Sequence, residues 1–482
     1  MKKTISLNDF IAFCSGNYRK ITLTRREWAY ISETRKIWED LAAKQQVYGF
    51  NTGIGPFFKE YIPPELQAEF QRNMLLRHAA GVGEFLSDEE ARGMMFLLIN
   101  MLRRGYSGIS RETLERLIDI FNSNIVPIPG MRIPEHGSVG ASGDLAPQAH
   151  LARFLVAIGY CELKPGEALA LLNGTHFMTS LLARTVYCSD VLAKTADVAA
   201  ALTILALKGN LEALDSRLHA LRLHPEQSRA ARNIKRLFGE ADFSAQALQD
   251  SYSLRCTAQV HGPVNEAIDQ ARRVVEREIN SITCNPVLIA DEIIHGGNFH
   301  GQILAMQADF LAIALATLAN ISERRIDRLL NGQLSGLPQF LSQCPGLDSG
   351  LMIAQYTAAD LCAENKILSH PASVDSIPLA AGQEDFVSMG AGAVRKARKV
   401  CSNAAKVLAI ELLCAVRALD LLNFSGPEEF PLTRIYKTIK SHNITGNGVT
   451  LSEQIQATVK LVEYGIVAQD AERAVEKSRR HI

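Results

Sequence analysis

The sequence predicts an all-α protein built on a long central helical bundle. Residues 302–331 and 393–425 contain neither Gly nor Pro, and Gly332 and Gly426-Pro427 directly follow them. Since Gly and Pro interrupt helices, each segment has the limits of one long helix. In the first segment leucines recur at helical spacing, at positions 304, 311, 315 and 318. Alternating strand patterns are nearly absent. Helices of this length would extend for about 45 Å at 1.5 Å per residue, so only other long helices can cover them.

The N-terminal part of the chain has a different texture, with short polar segments and frequent Gly and Pro. Residues 48–56 and 125–143 are so rich in these two residues that regular helix cannot continue through them. We therefore expect two parts: a mixed, loop-rich segment over residues 1–185, and a long-helix bundle over residues 186–482.

Composition excludes several classes of protein. The 482 residues carry 51 Lys plus Arg and 51 Asp plus Glu, so the formal net charge is zero. A chain without excess positive charge is poorly suited to bind nucleic acid. Apolar residues make up 47% and charged residues 21%, as in an ordinary soluble globular protein. Zero net charge also permits self-association.

The cysteines and the N-terminus indicate a soluble cytoplasmic protein. The chain has nine cysteines, none within ten residues of another, which gives no metal-binding spacing and no dense disulfide framework. Asn8 and Asp9 interrupt the N-terminus before an apolar signal segment forms. No stretch of 18 predominantly apolar residues is expected, so we predict no membrane span. The spacing of the cysteines predicts no metal site.

The most unusual stretch is residues 137–147, which reads GSVGASGDLAP and places glycines at steps of three. A flexible surface loop and a phosphate-binding turn are both open interpretations. The second is weak, because no GxGxxG pattern and no Walker lysine accompany it. The GxG fragment at Gly53 and Gly55 has no strand before it, so the sequence predicts no nucleotide cofactor.

Residues 137–144 resemble the signature of the aromatic amino acid ammonia-lyases, the family of histidine, phenylalanine and tyrosine ammonia-lyases and related aminomutases. Further motifs resemble the same family in the same order, over roughly residues 45–425. These motifs are YGFNTGIG at residues 48–55, LLNGT at 171–175, QDSYSLRC at 249–256, HGGNFH at 295–300 and SERR at 322–325. So many ordered matches identify the chain as resembling this family over most of its length.

The resemblance implies a prosthetic group made from the backbone. In the family, the Ala-Ser-Gly triplet condenses autocatalytically into 4-methylideneimidazole-5-one (MIO), an electrophile. Carried to this chain, the Gly143 nitrogen attacks the Ala141 carbonyl, and loss of two waters turns the Ser142 Cβ into the methylidene. Gly143 has no Cβ to obstruct the approach of its nitrogen. The group needs no metal and no nucleotide.

The resemblance also implies roles for side chains. Tyr48, in the family's lid segment, is the base that takes the β-proton, and Tyr252 is an alternative base. A phenolate base needs a pKa below the usual value of about 10. Arg255 would hold the substrate carboxylate with its bidentate guanidinium. Asn173 and Gln249 would hold the amine, the carboxylate and the MIO carbonyl by hydrogen bonds.

Substrate choice follows from two further matches to histidine ammonia-lyases. His78 lies in RHAAG at residues 77–81, and Glu384 lies in QED at residues 383–385. A carboxylate at position 384 can accept a hydrogen bond from an imidazole N–H, whereas a phenyl ring offers it nothing. Phe340 would line the ring pocket. We therefore expect elimination of ammonia from L-histidine to give urocanate.

Several residues depart from the family pattern. Arg77 replaces a serine, and it could pair with Glu384 or donate to a phenol oxygen. Cys284 replaces an aspartate before Asn-Pro, and Gly382 and Phe386 replace Asn and His. These departures leave open a tyrosine or phenylalanine ammonia-lyase or an aminomutase. A degenerate helical scaffold without enzyme activity is the non-enzyme alternative. The family assembles as a homotetramer whose active sites share residues from several chains, which is what we expect here.

Overall fold

We analysed a computed structural model, which describes residues 4–16, 20–123, 131–157, 163–239, 245–442 and 448–480. The prediction of an all-α protein is confirmed, since 66% of the structure is helical. Part of the Gly- and Pro-rich segment 125–143, namely residues 125–130, lies outside the described residues. The α-helices of the described residues are, in chain order, α1 (Leu7–Cys14), α2 (Arg25–Ala42), α3 (Gln67–His78), α4 (Asp88–Leu102), α5 (Arg111–Asn122), α6 (Leu145–Ala157), α7 (Glu167–Leu172), α8 (His176–Ala206), α9 (Ser216–Ala220), α10 (Pro225–Leu237), α11 (Tyr252–Arg255), α12 (Thr257–Ile279), α13 (Gln302–Leu330), α14 (Gly332–Ser335), α15 (Met352–Leu368), α16 (Gly390–Leu421), α17 (Pro431–His442), α18 (Leu451–Glu463) and α19 (Ile466–Arg480).

The two long helices predicted from sequence are present, with shifted limits at one of them. Helix α13 begins at Gln302 and ends at Leu330, because Asn331 caps the following short helix α14. Helix α16 begins at Gly390 rather than at residue 393, since its first turn accommodates glycines. It ends at Leu421 rather than near residue 425, and Asn423 beyond it has a left-handed backbone with φ 51°.

Local signals at the helix starts explain where several helices begin. In the described part of the chain, four helices carry a capping box, in which a hydroxyl accepts from the third backbone N–H and a carboxylate accepts from the N–H of the cap. The four pairs are Ser6 with Asp9, Thr24 with Glu27, Ser87 with Glu90, and Thr450 with Glu453. These caps satisfy backbone donors that the helix itself leaves unpaired.

Strands among the described residues form two small antiparallel pairs. Strand β1 (Val82–Phe85) pairs with β2 (Pro134–His136), with Val82 opposite His136. Strand β3 (Val287–Ile289) pairs with β4 (Glu292–Ile294). The first pair ties the chain after α3 to the segment that leads into the Ala141-Ser142-Gly143 triplet.

The chain divides into two compact units, neither contiguous in sequence. The first unit comprises residues 1–187, 271–309 and 371–395, and the second comprises residues 188–270, 310–370 and 396–482. The division expected from sequence, residues 1–185 and 186–482, stays a prediction.

The first unit contains an aromatic cluster around a buried arginine. The Arg92 guanidinium lies 4.1 Å from the Phe121 ring centroid, and its nitrogens donate to the carbonyls of Phe13 and Phe121 at 3.0 Å. The Phe13 and Phe96 rings stack at 4.2 Å. The cluster joins α1, α4 and α5.

The second unit contains a fully buried ion pair. The Glu411 carboxylate accepts from Arg325 Nε at 2.5 Å and Nη2 at 2.9 Å, and from the hydroxyls of Thr203 at 2.9 Å and Ser322 at 2.6 Å. All four side chains are buried. Removing one partner of such a pair leaves an uncompensated buried charge, at a cost of about 3–5 kcal/mol. Ser322 and Arg325 of the SERR motif therefore stabilise the second unit.

Helix α13 has the length and composition of a membrane-spanning helix, contrary to the expectation from sequence that no such stretch exists. The mean hydropathy of its most apolar window is 1.6, and 61% of that window is buried inside the protein. The core helix of a soluble protein has the same properties, so this helix by itself carries no argument for a membrane.

Candidate active site

The triplet Ala141-Ser142-Gly143 lies in a tight loop between β2 and α6. Gly143 pairs with Gly174 in a parallel bridge, and the Asp144 N–H donates to the Gly174 carbonyl at 2.8 Å. The backbone of Gly143 is left-handed, with φ 79°. A Cβ on Gly143 would come within 2.2 Å of the Gly174 carbonyl oxygen. Only glycine therefore fits this position without displacing the neighbouring segment.

Buried hydrogen bonds fix the loop on both sides of the triplet. The Ser138 hydroxyl donates to Asp144 Oδ1 at 2.8 Å, and the Met178 N–H donates to Asp144 Oδ2 at 3.0 Å. The Ser388 hydroxyl donates to the Gly140 carbonyl at 3.1 Å. Burial raises the pKa of the Asp144 carboxyl to about 7, although the hydrogen bonds from Met178 and Ser138 lower it. The loop is thus held by a carboxyl that is easily protonated.

A cavity of about 810 Å³ opens beside the triplet, within the first unit. Its lining brings together five of the residues predicted from sequence that lie on separate segments: Tyr48, His78, Ser142, Asn173 and Glu384. Ala141 also lines it. The volume lies in the range of a small-molecule site.

Ser142 is held at both ends by other cavity residues. Its hydroxyl donates to Glu384 Oε1 at 2.7 Å, and its carbonyl accepts from Asn173 Nδ2 at 3.1 Å. Asn173 ends helix α7 and is buried, and its Oδ1 has no partner among the described residues. That buried oxygen leaves an acceptor within the site for a further donor.

Glu384 lies at the end of a tight turn. Leu379 and Glu384 pair through their backbones, with the Leu379 N–H donating to the Glu384 carbonyl at 2.9 Å. Between them Ala380 and Ala381 have left-handed backbones, with φ 48° and 53°. Such conformations cost energy for residues other than glycine and cluster at functional sites. The turn directs the Glu384 carboxylate toward Ser142.

Tyr48 lies in the loop that follows helix α2. The Asn51 side chain closes this loop: its Oδ1 accepts from the Val47 N–H at 2.7 Å, and its Nδ2 donates to the Ala42 carbonyl at 2.8 Å. The Tyr48 phenol oxygen accepts from the Gly55 N–H at 2.7 Å. Burial and, to a smaller extent, the Glu384 carboxylate raise the pKa of Tyr48 above its usual value, against the lowering by Gly55. In this chain alone the phenol is thus neutral, not the phenolate expected of a base.

His78 ends helix α3 with a defined tautomer. Its Nδ1 lies 2.7 Å from the Met74 carbonyl oxygen, so Nδ1 carries the proton and donates. Nε2 is left as the other ring nitrogen, which accepts a hydrogen bond when the ring carries one proton. Arg77, by contrast, is exposed, and among the described residues no ion pair joins it to Glu384.

The HGGNFH motif supplies three aromatic residues of the cavity that were not among the predicted site residues: His295, Phe299 and His300. The His295 ring lies edge-on to Tyr48, at 6.4 Å between centroids, and burial lowers its pKa. The His300 ring stacks on Phe386 at 6.1 Å. All three belong to the HGGNFH motif, so the motif was the signal that could have found them.

Four predicted site residues lie in the second unit, and they do not line this cavity. Arg255 Nη1 donates to Gln249 Oε1 at 2.5 Å, and the Arg255 guanidinium lies 4.9 Å from the Tyr252 ring centroid. Tyr252 is 70% exposed. Phe340 lies in a 3₁₀ turn with φ 56°. Their part in a substrate site stays a prediction.

Similarity to known proteins is extensive. The aromatic amino acid lyase family matches residues 5–441. The histidine ammonia-lyase of Symbiobacterium thermophilum is 45% identical over 92% of this chain and 93% of its own. The crystal structure of histidine ammonia-lyase from Trypanosoma cruzi is similar with a TM-score of 0.87 and 36% identity, over 97% of this chain and 94% of that chain. The tyrosine aminomutase of Streptomyces globisporus has a TM-score of 0.89 and 31% identity, over 98% and 97% of the two chains.

The chain belongs to the aromatic amino acid lyase family. It is therefore an enzyme of the ammonia-lyase type, a carbon–nitrogen lyase. Among the described residues of this lyase, no group of three or more His, Cys, Asp or Glu side chains could hold a metal ion.

The cysteine that departs from the family pattern has a clear environment in this lyase. Cys284 is buried, and burial raises the pKa of its thiol to about 12, so the thiol is neutral. The neighbouring Asn285 lines the cavity, and its Oδ1 accepts from the Gly296 N–H at 2.7 Å. A neutral thiol cannot supply the negative charge of the aspartate that it replaces.

Proposed function

We propose that this enzyme is a histidine ammonia-lyase, which converts L-histidine into urocanate and ammonia. The observation that carries the proposal is the Glu384 carboxylate, which reaches Ser142 of the triplet at 2.7 Å inside the cavity. An acceptor there suits an imidazole N–H and can stabilise an imidazolium, whereas a phenyl ring would leave the charge unpaired. The relatives named histidine ammonia-lyase support the same substrate.

The residues of the triplet fit the MIO group that the family implies. Gly143 occupies a position where a Cβ would meet the Gly174 carbonyl at 2.2 Å, which suits close approach of its nitrogen to the preceding turn. Asn173 holds the Ser142 carbonyl, which the ring retains, and the unpaired Asn173 Oδ1 remains for the substrate amine. The group would form autocatalytically from Ala141-Ser142-Gly143 with loss of two waters. It would supply an electrophile that takes up the amine and makes it a better leaving group.

The side chains of the cavity would orient the substrate and move one proton. Tyr48 would accept the β-proton at its phenol oxygen, and the Gly55 N–H would stabilise the phenolate while the proton is absent. His78, with Nε2 as acceptor, and Glu384 would hold the imidazole ring. The phenol needs a nearby cation to lower its raised pKa. The described residues that line the cavity include no Lys and no Arg.

That cation would come from Arg255 of a second copy. Gln249, Tyr252 and Arg255 form an exposed group in the second unit, where Arg255 could clamp a carboxylate and Tyr252 could act as the alternative base. We therefore propose a homotetramer in which each active site takes residues from more than one chain. Phe340 would join the ring pocket in the same way.

An exposed apolar stripe on helix α13 supports this assembly. Ile303, Met306, Phe310 and Ile313 are 41–48% exposed and follow one another at steps of three and four residues. This spacing is that of the seam between two packed helices. An apolar stripe of this kind is rarely left in water, and another copy of the chain would cover it.

We also propose a cytoplasmic location. Among the described cysteines, Cys14, Cys284 and Cys414 are buried free thiols, as suits a reducing compartment.

A second candidate is an enzyme that acts on tyrosine or phenylalanine, as a lyase or an aminomutase. The similarity to a tyrosine aminomutase favours it. Arg77 is exposed on this chain, but a neighbouring copy could bring a phenol oxygen to it.

Separate incubation of the enzyme with L-histidine, L-tyrosine and L-phenylalanine tests the proposal. Each elimination product is conjugated, so its ultraviolet absorbance reports turnover, and ammonia is measured in parallel. We expect urocanate and an equal amount of ammonia from histidine. Product from tyrosine or phenylalanine alone would contradict the substrate, and a β-amino acid without ammonia would indicate a mutase. Ser142→Ala is the inactive control, and absence of product from all three amino acids would contradict the proposed substrate.

A further inference from the structure

The triplet of this chain has its serine hydroxyl bound before any water is lost. The Ser142 Oγ donates to Glu384 Oε1 at 2.7 Å, and Asn173 Nδ2 holds the carbonyl of the same residue. The direction of the Cβ–O bond that maturation must break depends on rotation about the Cα–Cβ bond, and the contact with Glu384 restrains that rotation while Asn173 holds the carbonyl. Glu384 is thus placed at the departing group, and not only at the substrate ring.

We infer that Glu384 is the proton carrier for the loss of water from Ser142. The inference rests on the proposed function, because it assumes that the triplet matures. It assigns Glu384 a step that precedes substrate binding and that ends before the first turnover.

The step balances without any further reactant. The Cα–H and Cβ–O bonds of Ser142 break, and the electron pair of the Cα–H bond forms the Cα=Cβ double bond. The Glu384 carboxylate accepts the Cα proton, which lies next to the Ser142 carbonyl and is acidified by it. The oxygen leaves with its bonding pair and receives that proton from Glu384, so one water departs and the carboxylate is regenerated. Glu384 Oε2 has no hydrogen bond among the described residues, so it can take the proton while Oε1 contacts the hydroxyl.

Neighbouring carboxyl groups are less suited to this role. Asp144 is nearest in sequence, but its two oxygens accept from the Ser138 hydroxyl and the Met178 N–H. Asp385 lines the cavity, but no hydrogen bond joins it to Ser142 in the described part of the chain. Glu384 is the carboxylate that contacts the hydroxyl.

Loss of the hydroxyl has a consequence for the finished site. Once Ser142 has no O–H, the donor to Glu384 Oε1 is gone, and the carboxylate faces the cavity as an acceptor. The acceptor proposed to bind the imidazole N–H is therefore released by the same step that makes the electrophile. An immature chain would hold Oε1 of Glu384 in a bond to Ser142 and leave only Oε2 for the imidazole N–H.

The test is the intact mass of newly made protein, sampled over time after cell-free synthesis. Wild type, Glu384→Gln, Glu384→Asp and Asp385→Asn are compared, since Asp385→Asn removes the same charge from the same cavity. We expect wild type and Asp385→Asn to become lighter by two waters. Glu384→Gln keeps the size of the side chain but cannot carry a proton in this way, so the two-water loss should slow by roughly 100-fold or more. Glu384→Asp, with a shorter carboxylate, should mature at a rate between these two.

Glu384→Gln that loses two waters as fast as wild type overturns the inference, while histidine turnover by wild type would leave the proposed function intact. A wild-type chain that keeps its full mass overturns both. Gel filtration and circular dichroism show which variants are folded, and only folded variants are compared. If Glu384→Gln does not fold, Glu384→Asp decides, and loss of two waters at the wild-type rate in that variant counts against the inference.

Discussion

The phenol oxygen of Tyr48 accepts a hydrogen bond from the backbone N–H of Gly55 at 2.7 Å. The bond closes the loop between them on itself and stabilises the charged form of the phenol. Burial has the larger and opposite effect, because it raises the pKa of Tyr48 above its usual value of about 10. The proposed base therefore needs a positive charge from outside its own unit to lower its pKa.

Replacing Tyr48 with Phe should abolish turnover and spare maturation. The variant loses the proton acceptor, so we expect kcat to fall roughly 100- to 10,000-fold, while the intact mass still shows loss of two waters. In wild type, kcat/KM should rise with pH, because the phenolate fraction grows as pH approaches the raised pKa. Turnover by Tyr48→Phe within a few-fold of wild type would transfer the role of base to Tyr252.

Gly143→Ala should prevent maturation and lower stability. The new Cβ would meet the Gly174 carbonyl at 2.2 Å, and the residue would have to keep a left-handed backbone with φ 79°. We expect a cost of about 1–3 kcal/mol in the free energy of unfolding, and a chain of full, undehydrated mass. Gly297→Ala is the matched control, since nothing lies within 4 Å of a Cβ there. Equal behaviour of the two variants would mean that the contact with Gly174 is unimportant.

His176→Asn should make the protein less sensitive to acid. Burial lowers the pKa of His176 to about 3, and its ring contacts the Gln148 amide. The unfolded chain binds a proton near pH 6.5 and the folded chain does not, so stability is lost as pH falls from about 6.5 toward 3. Between pH 6.5 and 5 the loss is about 2 kcal/mol, and Asn avoids it.

Urea unfolding of the wild type and of His176→Asn at the two pH values checks this difference. Asp144 acts in the opposite sense: its raised pKa gives stability that is present below about pH 4 and lost as pH rises through about 7. Comparing variants cancels that contribution. The exposed His224→Asn serves as control. The same acid sensitivity in His176→Asn and wild type would show that His176 does not carry it.

Phe310→Glu should dissociate the assembly. Phe310 lies in the apolar stripe of helix α13 and is 48% exposed in the single chain. A carboxylate buried between two copies would be unpaired, at a cost of several kcal/mol. We expect light scattering to report a smaller particle, and turnover to fall because Arg255 no longer reaches a neighbouring site. Ser32→Glu adds the same charge at an exposed polar position and should change neither property.

The helices were predictable where composition alone decides them. Helix α13 begins at Gln302 as expected, because no Gly or Pro interrupts it until Gly332. Helix α16 begins before the expected residue, since glycines at positions 390 and 392 fit in its first turn. Helix propensity is a weak guide at such termini, where caps and tertiary contacts decide.

The site was predictable only in part, and for a physical reason. Tyr48, Asn173 and Glu384 were found through motifs of chemically distinctive residues, and the chain brings them to one cavity. Phe57 also lines that cavity, but it lies outside the matched motifs, and a phenylalanine on its own looks like core in any sequence. Phe340, chosen for the ring pocket, lies in the other unit, and no sequence pattern reports which unit a residue joins.

We propose that Ala141-Ser142-Gly143 becomes an electrophile, and the mass of the peptide that contains the triplet decides whether it does. Purified wild type and Ser142→Ala are digested, and the peptide spanning residues 141–143 is weighed in each. We predict a wild-type peptide lighter than its sequence by two waters, and a Ser142→Ala peptide of full mass. A wild-type peptide of full mass, from protein that is folded, would contradict the account.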